Sequence, residues 1–137
     1  MKKITKSLIA IFLIAIMSMS SITVFANSDG PSPRLSHMSD GSFTFSATAD
    51  GGYVDVTYYG YDSFVRADLT VKIEKRFLLV FWNEVSSWSA SSTQIDGLFY
   101  TTLPLDGSGT YRATFTLLIT GNDGTVDTIT DVIKDSY

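Results

Sequence analysis

The chain has 137 residues, no cysteine and a formal net charge of −4. Without cysteine there is no disulfide framework, no thiolate metal site and no lipid-modified cysteine. The acidic balance argues against nucleic acid, whose recognition depends on neutralising phosphates with Lys and Arg. It also disfavours adsorption to anionic membranes.

Residues 1–26 read as a secretory signal peptide. Lys2, Lys3 and Lys6 precede an apolar run from Leu8 to Met17, and a small-residue stretch ends in Val24-Phe25-Ala26. Basic start, short apolar centre and small-x-small end are the three parts of an export signal, with cleavage expected after Ala26. The run is far shorter than the roughly 20 residues that span a bilayer, but weak apolarity continues to Ala26, so an uncleaved N-terminal anchor is the alternative. Loss of the three signal lysines leaves seven basic against fourteen acidic residues in 27–137. The end of the chain, 131–137, has no apolar tail or wall-sorting pattern, so secretion and free extracellular release are the expectation.

Residues 27–41 are rich in Ser, Gly, Pro and Asp and read as a flexible N-terminal segment. From Ser42 onward apolar and polar residues alternate. Phe43, Phe45 and Ala47 do so in the first run; Val54, Val56 and Tyr58 follow, then Leu69, Val71 and Ile73, and later Tyr111, Ala113, Phe115, Leu117 and Ile119. Period two is the pleat of antiparallel strands with one face in a core and the other in water. Asp-Gly pairs at 40–41, 50–51, 96–97, 106–107 and 123–124 supply the backbone angles of tight turns. Seven strands are predicted near 42–49, 53–60, 66–75, 79–86, 97–103, 110–120 and 125–133. They form an all-β, antiparallel two-sheet sandwich occupying 42–137. Val126, Ile129 and Val132 break strict alternation in the last strand, and a bulge there would restore it.

The segment Leu105-Asp106-Gly107-Ser108-Gly109-Thr110-Tyr111-Arg112-Ala113 resembles the tyrosine corner of immunoglobulin-like sandwiches, where a Tyr opening the penultimate strand bonds back to the preceding turn. The resemblance implies an immunoglobulin-like architecture. It departs from the antibody type, because Ala113 stands where Cys would be and Leu69 falls near the place of the buried Trp.

Phe77-Leu78-Leu79-Val80-Phe81-Trp82 is apolar throughout and follows Lys75-Arg76. It reads either as a strand buried on both faces, the leading alternative, or as an apolar hairpin that docks on a partner, a lipid surface or another copy. Trp82, Trp88, Tyr53 and Tyr59, with Tyr58, Tyr61 and Phe64 nearby, could form a stacking platform for sugars. Ordinary strand aromatics explain the same residues. The candidate binding residues are therefore Phe77, Leu79, Phe81, Trp82, Trp88, Tyr53 and Tyr59.

The Asp residues mostly precede Gly in turns and include no Asp-x-Asp-x-Asp loop, so turn chemistry accounts for them without calcium. His37, the only histidine, falls in the leading segment, away from any packing that would orient a general base. No catalytic residue, metal ligand or cofactor is assigned, and the domain reads as non-enzymatic.

Trp82-Asn83-Glu84-Val85-Ser86-Ser87-Trp88-Ser89, followed by Gly109-Thr110-Tyr111-Arg112, is similar to a group of small uncharacterised exported proteins of Gram-positive bacteria. That resemblance implies an exported β-sandwich and no activity. The chain departs from the group at 77–81, where polar turn residues would be expected. Two functions follow: an extracellular binding or adhesion module for envelope glycan or protein, or a secreted toxin-type effector that contacts membranes through the apolar hairpin.

Overall fold

A computed structural model describes residues 35–137; the segment read as a signal peptide, its expected cleavage after Ala26 and the leading residues as far as Arg34 lie outside the described residues. Seven strands are present: β1 (Met38–Thr48), β2 (Gly51–Gly60), β3 (Phe64–Phe77), β4 (Phe81–Ser92), β5 (Asp96–Leu103), β6 (Thr110–Gly121) and β7 (Val126–Ser136). They form two antiparallel sheets, a three-stranded one in the order β1-β2-β5 and a four-stranded one in the order β4-β3-β6-β7.

The alternating residues of the sequence are those that face inward. Val54, Val56 and Tyr58 of β2 and Val71, Ile73, Phe115 and Leu117 of the other sheet are all fully buried. Removing such side chains from water is the main force holding a cysteine-free domain together, at about 1.5–3 kcal/mol each. Tyr111 opens β6, is fully buried, and donates its hydroxyl hydrogen bond to the Gly107 carbonyl, as the motif at 105–113 implies.

Three features differ from the sequence expectation. First, β1 begins at Met38, and ordered packing reaches back to Leu35, so the leading segment of 27–41 does not extend as far as 41. His37 is responsible. Its ring is 3% exposed, with Nδ1 at 2.8 Å from Ser63 Oγ and Nε2 at 2.6 Å from Thr125 Oγ1. Asp127 accepts hydrogen bonds from the backbone N–H groups of Ser36 and His37. A Cβ at Gly121 would lie 2.1 Å from the imidazole, so the absence of a side chain there makes the pocket for the ring.

Second, β7 has no bulge: its register with β6 is unbroken from Thr110↔Ser136 to Thr120↔Val126. The irregular pattern has another cause. β7 is an edge strand, and Asp127 and Asp135 on its inward side reach across to backbone donors of the N-terminal segment and of Ala47. Carboxylates at those positions stitch the two sheets together along the β1–β7 side, and they also blunt an open edge.

Third, a bulge falls where none was expected. Ile73 pairs with Ser86 and Glu74 with Glu84, leaving Val85 as the extra residue in β4. One inserted residue reverses which face the following side chains occupy. Trp88 therefore points inward, meeting Phe99 edge-on at 6.5 Å, whereas Trp82 lies beside Arg76 on the outer face.

Candidate docking site

The β3–β4 hairpin is longer than its neighbours. The last residue of β3 that pairs with β6 is Lys75, opposite Tyr111, while the hairpin continues to the Phe77↔Phe81 pair and its turn. At about 3.3 Å per residue, the apex at Leu79 stands roughly 13 Å past that last pair. Nothing in the domain covers this projection. Phe77 is 52% exposed, Leu78 69%, Leu79 78%, Val80 70% and Phe81 60%. The reading of 77–82 as a strand buried on both faces does not hold, because the run spans a turn that overhangs the end of the sandwich.

The turn itself is strained. Leu78 has φ 47° and Leu79 φ 68°, and every other positive-φ position among the described residues is a glycine. The Phe77↔Phe81 pair closes a three-residue loop whose first two residues hold the positive φ that Asn and Gly adopt most readily. A side chain in this region costs roughly 1–2 kcal/mol per residue. The Arg76 Nε–H donates to the Leu79 carbonyl at 3.0 Å and braces the turn. Neither exposure nor backbone strain benefits the fold, and strain of this kind collects at functional positions.

Below the tip lies a collar of positive charge. The Trp82 ring is faced by the Arg112 guanidinium at 4.5 Å, Lys134 Nζ at 5.7 Å and the Arg76 guanidinium at 5.8 Å. Glu74, nearly buried, bonds to Arg112 at 2.6 Å and to Lys72 at 3.3 Å. The hydrogen bond from Arg112 holds the Glu74 carboxyl below its ordinary range, against the opposing effect of burial. Arg76, Lys134 and Lys75 form no ion pair among the described residues. On the inner side of the hairpin, Lys75, Arg76, Phe77, Asn83, Val85 and Asp106 line a shallow cleft of about 160 Å³.

Of the residues proposed from sequence, Phe77, Leu79, Phe81 and Trp82 come together at this hairpin. Trp88 does not, because it packs on the core. Tyr53 and Tyr59 lie on the outer face of the three-stranded sheet, where Leu98 and Tyr100 of β5 are also exposed. No protein-family model, curated protein or solved structure matches the chain.

Sequence reasoning missed Arg76, Arg112 and Lys134 as a group, since they come from three strands. It also missed Leu98 and Tyr100, whose alternation with the inward Phe99 was the available signal. His37, taken as part of a flexible leader, is instead the best-anchored polar side chain of the opposite end. Both its ring nitrogens are engaged and its surface is closed, so a substrate could not reach it. Among the described residues no three His, Asp or Glu side chains gather as metal ligands.

Proposed function

We propose that the protein is an exported, non-enzymatic binding module that docks on a lipid surface by seating the β3–β4 tip in it. The observation that carries this reading is five consecutive apolar residues, Phe77–Phe81, exposed on a turn whose backbone is strained. An apolar hairpin with a tryptophan and cations at its base has the layered chemistry of a membrane interface. Aliphatic groups enter the acyl region, the indole sits at headgroup level and the cations stay in water. The leader at 1–26 and the likeness to small exported Gram-positive proteins support an extracellular location.

An immunoglobulin-like sandwich is the framework we assign to the module. The Tyr111 corner supports it, as does the strand order, if β1–β7 are lettered A–G. Antibody constant domains place the fourth strand beside the fifth. Here β4 lies beside β3, which is what lengthens the hairpin that carries the tip.

Vesicle flotation tests the proposal. Leu79→Asp removes an apolar group and adds a charge to the apex, and about 100-fold weaker retention is expected from transfer costs of this order. Equal retention of wild type and variant would sink the reading. A second reading, glycan stacking, has one observation in its favour: Tyr59 and Tyr100 are 49% and 60% exposed on one sheet face. Retention on wall polysaccharide that Tyr100→Ala abolishes would establish that alternative.

A further inference from the structure

We infer that the outer-face cluster of Trp82, Arg76, Arg112 and Lys134 is a binding site for the phosphate of an anionic lipid headgroup. The inference rests on the lipid-docking reading of the tip and names what the docked domain selects.

The chain is acidic, yet Lys72, Lys75, Arg76, Arg112 and Lys134 all lie toward the hairpin end of the four-stranded sheet. Arg66, the remaining cation of the described residues, sits ten residues back along β3, roughly 33 Å away at the rise of a strand. Three of these cations converge on one indole ring within 5.8 Å. Like charges brought so close repel one another unless an anion joins them. Glu74 partly answers that need, but it is shared between Arg112 and Lys72 and, among the described residues, leaves Arg76 and Lys134 without an ion pair. Glu84 stands opposite Glu74 on β4 and forms no ion pair among the described residues either, so the patch keeps a positive surplus.

Position makes the anion a lipid phosphate. Trp82 is three residues from the Leu79 apex, about 10 Å along the strand. Interfacial segments sink roughly 5–10 Å past the headgroup boundary. A tip seated to that depth therefore brings Trp82 and its cations level with the phosphates. Guanidinium groups suit phosphate oxygens through paired N–H donors, while Lys134 adds a mobile point charge. The five cations of the hairpin end face Asp50, Glu74, Glu84, Asp106 and Asp135, so that end is close to neutral. The opposite end carries Asp40, Asp62, Asp96, Asp123 and Asp127, with Arg66 alone against them among the described residues; an anionic surface therefore repels the hairpin end least.

The test compares phosphatidylcholine vesicles with vesicles that also contain phosphatidylglycerol, using wild type and Lys134→Glu. Lys134 is exposed and makes no hydrogen bond or ion pair among the described residues, so the fold should tolerate the change. Near an anionic surface each basic residue contributes about five-fold in affinity. Wild type should prefer phosphatidylglycerol vesicles, and charge reversal should lower that affinity by about 30-fold, with a smaller loss on phosphatidylcholine, whose phosphate is offset by choline. Arg66→Gln, at the far end, should change neither. Wild type that binds both vesicles equally would overturn the phosphate site and leave tip docking intact. Binding lost in Leu79→Asp but still selective in Lys134→Glu would have the same meaning. If neither vesicle binds, glycerol 3-phosphate titrated against Trp82 fluorescence decides. A response absent in Lys134→Glu supports the site without the membrane reading, and no response overturns both.

Discussion

Replacing Leu78-Leu79 with Asn-Gly separates a docking tip from a structural element, because the two accounts predict opposite signs for stability. Both leucines hold positive φ, at roughly 1–2 kcal/mol each. Asn and Gly adopt that region readily, although Gly returns about 0.5–1 kcal/mol through the freedom it gives the unfolded chain. The turn loses no burial, since the two side chains are 69% and 78% exposed. The double variant should therefore be more stable by about 1–3 kcal/mol, and its Tm should rise by about 5–15 °C. The same change deletes two apolar side chains from the apex, each worth about 1–2 kcal/mol of transfer at these exposures. Retention on lipid vesicles should fall by about 30-fold or more. Thermal melting by circular dichroism and vesicle flotation on one preparation give both readings. A lower Tm, or undiminished flotation, would refute the reasoning; the first would mean that Leu78 and Leu79 support the fold.

Four further outcomes follow from the packing. His37→Ala should cost about 2–4 kcal/mol, since it opens a cavity and strips partners from Ser63 and Thr125. The loss reads as a lower Tm with earlier proteolysis ahead of β1, and an unchanged melt would contradict the clasp described for that end. Tyr111→Phe keeps the buried ring but removes the hydrogen bond to Gly107, and a loss of about 1–2 kcal/mol is expected in denaturant titration. Because Glu74 is held below its ordinary 4.5, its stabilisation is complete above that pH and disappears as pH falls through the lower folded value. Tm should thus decline on the acid side of 4.5, and Arg112→Leu, which removes what holds the carboxyl low, should lower Tm at neutral pH and flatten that acid limb; parallel acid limbs would contradict the pairing. Asp135→Ala removes the carboxylate that accepts from the Ala47 N–H, and we expect faster hydrogen exchange along β1 rather than global unfolding.

The strands were legible because most of the chain obeys period two, and Tyr111 could be placed because a corner motif is local. What escaped depends on pairing between distant segments. Nothing in Trp82-Asn83-Glu84-Val85-Ser86-Ser87-Trp88 marks Val85 as an inserted residue. The bulge exists only relative to Ile73 and Glu74 on β3, and it decides that the two tryptophans face opposite ways. His37 was misread for a similar reason: Ser63, Gly121 and Thr125 are remote in sequence, and only the assembled end shows that they enclose a ring. Net charge carries no information on placement. An average over fourteen acidic residues hid the fact that Arg76, Arg112 and Lys134 meet at one indole. By contrast, the exposure of 77–81 was one of two alternatives open from sequence, and topology chose between them, since β6 ends its pairing with β3 at Lys75.

If the hairpin enters lipid, the depth of Trp82 reports it most directly. With Trp88→Phe as the background, Trp82 is the only tryptophan, and bilayers with bromine at defined acyl positions report its location by fluorescence quenching. Insertion should give a blue shift on vesicle addition and strongest quenching by bromines nearest the headgroups, both lost on adding Leu79→Asp. Emission that neither shifts nor quenches at saturating lipid would contradict it.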